Sequence, residues 1–162
     1  MTLGLQILFW VSFGAIFLTY FAYPVTLLLL APLRKQHAIA AATPKVTLIV
    51  SAYNEAAVIR EKIENSLALD YPREALEVMV ISDESDDGTD DIVREYADRG
   101  VVLYRQVPRQ GKSYGLTQFV PHATGEIVVF SDANSIYEPQ AIKQLVRHFA
   151  DENVGFVVGH EK

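Results

Sequence analysis

The chain changes its pattern of apolar and polar positions sharply after Leu33. Up to that point no side chain is charged, and from Leu3 onward the run is apolar but for Gln6, Ser12, Thr19 and Thr26. It exceeds the roughly 20 residues that cross a bilayer. A cleaved leader would begin with basic residues and carry an apolar core of only about 7–15 residues, whereas residues 1–6 contain no Lys or Arg. A retained transmembrane helix over 1–33 is therefore expected, bent near Pro24, whose ring removes a backbone donor. Tyr20 and Tyr23 are expected toward a membrane interface. Beyond Leu33 the apolar runs shorten and alternate with helical periods. Strands are predicted at 46–52, 77–82, 101–105, 126–131 and 155–158, with helices near 56–68, 90–99, 112–122 and 139–150. Continuous apolar strands separated by helices predict an α/β domain with a mostly parallel sheet buried on both faces.

Local signals support these boundaries. Gly88-Thr89 stands before Asp90 and Asp91, acids suited to the positive end of a helix. Pro139 suits a first helical position, and Gly100 suits a helix C-terminus. Residues 34–44 read as an Ala-rich connector closing at Thr43-Pro44, where proline disfavours helix. The predicted division is 1–33 transmembrane helix, 34–44 connector and 45–162 domain. Residue 162 follows directly on the last strand pattern, so the chain is expected to be the N-terminal portion of a longer protein.

Charge refines this picture. Arg34 and Lys35 follow the apolar run and no basic residue precedes it, so the positive-inside bias places the domain on the cytoplasmic side of the membrane. The net charge of −6 lies wholly after residue 33, which argues against nucleic acid as a partner, since phosphate backbones demand a basic face. A single nucleotide stays possible because a metal ion can supply the positive charge. With no cysteine, neither a disulfide framework nor a thiolate metal site exists.

The candidate chemistry lies where the strands end. Strand 46–52 runs into Tyr53-Asn54-Glu55, strand 77–82 into Asp83, and strand 126–131 into Asp132-Ala133-Asn134. In an open parallel sheet ligands bind at that edge, and clustered carboxylates there call for a cation or hydrogen-bond donors among them. In the run from Asp83 to Asp91, Asp83, Ser85, Asp87 and Gly88 match the start of a calcium loop, but Arg94 stands where a bidentate Glu is required. Gly111-Lys112-Ser113 resembles the end of a P-loop, yet Gln106 replaces the first glycine. Lys112 at a helix start can still approach a phosphate. Asp132 and Asn134, two positions apart, can share one hard divalent cation.

Together these segments resemble the family 2 glycosyltransferases of the GT-A fold: Val46-Thr47-Leu48-Ile49-Val50-Ser51-Ala52-Tyr53-Asn54-Glu55, Val80-Ile81-Ser82-Asp83 with Ser85, Asp87 and Thr89, Gly111-Lys112-Ser113-Tyr114-Gly115-Leu116, and Phe130-Ser131-Asp132-Ala133-Asn134. The resemblance covers nearly all of 45–162. It implies a Rossmann-like GT-A nucleotide-binding layer behind one transmembrane helix, as in membrane-bound members that make polysaccharides or glycolipids. It further implies transfer of a sugar from a nucleoside diphosphate, expected to be UDP, to an acceptor hydroxyl on a carbohydrate or lipid-linked molecule. By the same resemblance, Ala52, Tyr53, Glu55, Asp83 and Lys112 bind the donor nucleotide, with Asp83 accepting from the base N–H and Glu55 near the ribose. Asp132 matches the first acid of the Asp-x-Asp motif that holds Mg²⁺ or Mn²⁺. Asn134 replaces the second acid, which removes a charge but keeps an oxygen ligand. The aspartate that serves the family as general base falls C-terminal to this motif, beyond Lys162.

Two other classes remain to be weighed. A non-catalytic membrane-anchored nucleotide-binding or interaction module would keep the donor residues and lack the base. A dinucleotide-dependent oxidoreductase would need Gly-x-Gly-x-x-Gly after the first strand, which is not there.

Overall fold

The computed structural model describes residues 2–33 and 38–159. They fall in two compact units, Met1–His37 and Ala38–Lys162. The first comprises α1 (Thr2–Phe17), a π turn over Leu18–Ala22, α2 (Tyr23–Leu30) and a 3-10 turn at Ala31–Leu33. Thr2–Leu30 is long and apolar enough, at 29 residues, to cross a membrane, and extends about 43 Å at the α-helical rise. Its large apolar side chains are exposed, Leu28 by 74%, a surface that lipid accommodates and water does not. The irregularity expected at Pro24 takes the form of the π turn, in which Tyr23 N–H donates to Leu18 O. That wider turn relieves the clash between a proline ring and the carbonyl four residues earlier. Thr19 and Thr26 donate to Ala15 O at 2.9 Å and Ala22 O at 2.8 Å, so both hydroxyls are satisfied within the helix. Arg34 and Lys35, which carry the orientation argument, lie outside the described residues.

The second unit is an α/β layer built on β1 (Val46–Ala52), β2 (Leu76–Asp83), β3 (Val101–Gln106) and β4 (Ile127–Asp132). All pairings are parallel and the order is β3-β2-β1-β4. Helices α3 (Ile59–Leu67), α4 (Thr89–Arg94), α5 (Lys112–Phe119) and α6 (Ala141–Val146) connect or follow the strands. Strand alternation divides the core. Leu48, Val50, Val78 and Val80 pack with Ile59, Ile63, Val93 and Ile142 from α3, α4 and α6, while Ile49, Met79 and Ile81 pack with Leu116 and Phe119 of α5 on the opposite face.

The N-terminal edge of the sheet is tied by polar groups. Thr47 Oγ1 donates to Glu77 Oε2 at 2.5 Å and accepts Gly125 N–H at 2.9 Å. Glu77 Oε2 also accepts from Thr124 N–H and Oγ1, at 2.9 and 3.0 Å. Burial alone would raise the Glu77 pKa, but these donors hold it below its ordinary value. A side chain at Gly125 would meet Thr47 N at 2.4 Å, so the chain passes there only without a Cβ.

Three expectations need correction. No strand forms at 155–158, where the chain is irregular and Phe156 and Val158 are 78% and 73% exposed. A β-rich composition makes a strand only where a neighbouring edge supplies hydrogen bonds. The helix expected from Pro139 begins at Ala141, because Pro139 O accepts Asp70 N–H at 2.8 Å and serves the connection from α3 instead. The helices expected over 90–99 and 112–122 end early and tighten into 3-10 turns at Ala97–Arg99 and Val120–His122, a common way to close a last turn.

Candidate active site

Parallel strands deliver all their C-termini to one edge, and there the expected residues converge. Ala52, Tyr53, Glu55, Asp83, Lys112, Asp132 and Asn134 all line one cleft of about 260 Å³. Ser51 lies opposite Asp132 in the β1–β4 register, and Asp83 opposite Gln106 in β2–β3. Four strand ends therefore contribute to a single concave surface, as expected of ligand sites in such sheets.

The acidic run after β2 does not hang in solvent as a loose turn. Asn54 N–H donates to Ser85 Oγ at 3.1 Å, Glu55 N–H to Thr89 Oγ1 at 2.8 Å, and Ala56 N–H to Asp87 Oδ2 at 2.9 Å. In return Asp86 N–H donates to Asn54 Oδ1 at 3.0 Å. The Asp87 pKa lies below its ordinary value, chiefly through the Thr89 hydroxyl and then through the backbone donors of Ala56 and Thr89. This zipper fixes the β1–α3 loop and keeps Asn54 in the left-handed region, φ 53°, which asparagine tolerates better than most residues. Ser85, Asp87 and Thr89 thus shape the wall that presents Tyr53 and Glu55.

Asp83 is buried, and protein donors surround it. Gln106 Nε2 and Gln110 N–H, the latter at 3.0 Å, donate to Oδ1, while Gly111 N–H donates to Oδ2 at 2.9 Å. Arg109 Nε stands 3.6 Å from Oδ2, with its guanidinium 3.7 Å from the centre of the Tyr53 ring. Gly111 enters α5 at φ +90°, a conformation that favours glycine. Asp83 therefore organises the loop that delivers Lys112.

The opposite end of the cleft is more open. Ala133 is buried in the core while its neighbours Asp132 and Asn134 are exposed toward the cleft. Lys112 Nζ forms an ion pair with Asp132 Oδ1, and both side chains are half exposed. Among the described residues no group of three or more His, Cys, Asp or Glu is placed to hold a metal. Asp132 and Asn134 nevertheless present hard oxygen donors of the kind that bind Mg²⁺ or Mn²⁺ when substrate phosphates and water complete the coordination. The donor set fits such an ion.

Behind this end stands Lys62, fully buried on α3. Its Nζ donates to Ser135 O at 2.5 Å and lies 4.0 Å from the centre of the Tyr137 ring. Burial lowers its pKa from 10.5 to about 8, an effect the Asp132 charge opposes. Neither Lys62 nor Gln106 nor Arg109 is among the residues expected at the site. Lys62 was legible as a charge in an apolar stripe, since Ile59, Lys62, Ile63 and Ser66 form the buried face of α3. Gln106 and Arg109 carried no local signal.

Comparison with known proteins gives this architecture its lineage. The chain covers 87% of itself and 44% of a mannosyltransferase from Pyrobaculum calidifontis, solved with GDP-Man and Mn²⁺, at 36% identity and a TM-score of 0.75. It matches TarS 1–349 of S. aureus, solved with UDP-GlcNAc, at 26% identity and a TM-score of 0.59, over 62% of this chain and 29% of that one. A beta-monoglucosyldiacylglycerol synthase of Nostoc sp. is 36% identical over 130 residues, 78% of this chain and 28% of the synthase. The chain thus spans less than half the length of these relatives. The sheet and its carboxylate-rimmed edge are a GT-A layer. Residues 47–160 match the model of Glycosyl transferase family 2, and the chain belongs to that family.

Proposed function

We propose that this chain forms the donor- and metal-binding part of a membrane-anchored glycosyltransferase, one that moves a sugar from a nucleoside diphosphate to an acceptor hydroxyl on a carbohydrate or lipid-linked molecule. The observation that carries the proposal is the meeting of Tyr53, Glu55, Asp83, Lys112, Asp132 and Asn134 on one cleft. The division into 1–33, 34–44 and 45–162 belongs to it, as does a cytoplasmic position for the domain, argued from Arg34 and Lys35.

In this reading the nucleoside enters between the Ala52–Tyr53 backbone and Asp83, with Glu55 toward the ribose. The Arg109 contact at 3.6 Å is the longest that Asp83 makes, and it is the one a base N–H would replace. Lys112 exchanges its partner, leaving Asp132 for the diphosphate, which frees the Asp132 carboxylate for a cation alongside the Asn134 amide oxygen. A divalent cation bound there would act as a Lewis acid on the leaving diphosphate. Each charge keeps an opposite neighbour through the exchange, so no bare carboxylate is left in the cleft. UDP is the proposed nucleotide; the relatives above were solved with GDP-Man in one case and UDP-GlcNAc in the other.

The test is calorimetric titration of UDP and GDP into the full chain in detergent micelles, with Mn²⁺ and with chelator, for the parent and Asp132→Ala. UDP should bind more tightly with Mn²⁺, and Asp132→Ala should remove that gain. Equal UDP affinity under all four conditions rejects the assignment. Tighter binding of GDP than UDP would change the nucleotide and leave the site in place.

A further inference from the structure

The least expected group near the cleft is the Lys62 ammonium. Lysine is rarely buried without a carboxylate partner, and an apolar side chain of the same volume would fill this space with no desolvation cost. Here the charge sits beneath the turn that carries Asp132 and Asn134. Among the described residues its one hydrogen-bond acceptor is Ser135 O, one residue past Asn134, and the Tyr137 ring covers it from another side. One helical turn along α3, Asn65 reads the same turn a second time: Nδ2 donates to Tyr137 O at 2.8 Å and Oδ1 accepts Tyr137 N–H at 2.9 Å. Tyr137 Oη then donates to Phe130 O at 3.2 Å, returning to β4 on the near side of Asp132. Within the turn, Ser135 N–H donates to Asp132 O at 3.2 Å. The segment 130–137 is therefore gripped on both sides of the two cleft-facing oxygen donors, while those donors stay exposed.

We propose that Lys62 and Asn65 are positioning residues that hold Asp132 and Asn134 at the geometry a divalent cation requires. This rests on the metal reading of the cleft given above. Small hard cations tolerate little misplacement of their few protein ligands, and groups that orient ligands without touching the metal commonly control its affinity. Lysine suits the position because its charge draws the Ser135 carbonyl and the Tyr137 ring together. A methionine would fill the volume and hold none of them.

The experiment measures Mn²⁺ affinity in the presence of saturating UDP by electron paramagnetic resonance, on the full chain in micelles, together with UDP affinity in chelator. The variants are Lys62→Met, Asn65→Ala, Lys62→Arg and Asp132→Ala. Lys62→Met and Asn65→Ala should each weaken Mn²⁺ by about 10-fold or more and leave metal-free UDP affinity unchanged. Lys62→Arg, which keeps the charge and a donor, should recover part of the loss. A merely structural role would lower both affinities together, and that result overturns the proposal. So does unchanged Mn²⁺ affinity in Lys62→Met while Asp132→Ala abolishes it. Should Lys62→Met fail to fold, Asn65→Ala decides the matter by the same two readouts. Retention of Mn²⁺ affinity in Asp132→Ala removes the metal reading itself, and the positioning role falls with it.

Discussion

The two ends of the cleft handle a carboxylate in opposite ways. At the end formed by β2 and β3 Asp83 is 7% exposed and is held by Gln106, Gln110 and Gly111. At the other end Asp132 is more than half exposed, and its salt-bridge partner, Lys112, is itself half exposed. Burial with backbone donors preorganises a charge and makes it part of the fold; exposure opposite a flexible lysine leaves a charge free to change partners. The same residue type therefore serves as a structural brace at one end and as half of an exposed ion pair at the other.

Removing each carboxylate should break that contrast most clearly. Asp83→Ala takes the acceptor from the buried Gln106 amide and from two part-buried N–H groups, and we expect it to lower unfolding stability by about 3–5 kcal/mol, read by urea denaturation with circular dichroism. A loss under 1 kcal/mol would mean that the Gln106–Gly111 loop stands without it. Next in size is a pH effect from the open end. Lys62 releases its proton near pH 8 when folded, against 10.5 ordinarily. Between those values the unfolded chain binds more protons, so stability rises with pH, by up to about 3 kcal/mol. Below pH 8 this contribution is flat. Lys62→Met should abolish the rise, and an identical pH profile in the variant would refute the assignment.

Smaller still is the stability effect of Asp132→Ala, within about 0.5 kcal/mol as for exposed ion pairs, even as metal-dependent UDP binding disappears. Finally, Lys112→Ala should act in two directions, tightening Mn²⁺ in the absence of nucleotide and weakening UDP. If both affinities move the same way, the exchange of partners is wrong.

Much of the fold is visible in the chain because the strand runs are apolar and their ends are marked. The run after Val46 and the acids at Asp83 and Asp132 place the sheet edge without any tertiary information. What is not visible depends on distant closure. Nothing local in Gln110 or Gly111 announces that their N–H groups meet Asp83, 27 and 28 residues away. Phe156 and Val158 show the opposite error, since strand-like side chains say nothing about whether a partner strand exists. Lys62 lies between these cases: its place in the buried stripe of α3 was open to inspection, but the carbonyl it serves was not.

The crowded crossing at Gly125 has a consequence far from itself. Successive residues on a strand face opposite sides, so whatever sets the phase of β4 also decides which side Asp132 emerges on. That phase is set by the contacts among Thr47, Glu77, Thr124 and Gly125, about 20 Å upstream at the strand rise. A slip of one residue there would turn Asp132, and Asn134 with it, away from Lys112 without altering any cleft residue. The orientation of Asp132 is thus indexed from the far end of the sheet, and a single methyl group at position 125 would act on it as a remote mutation.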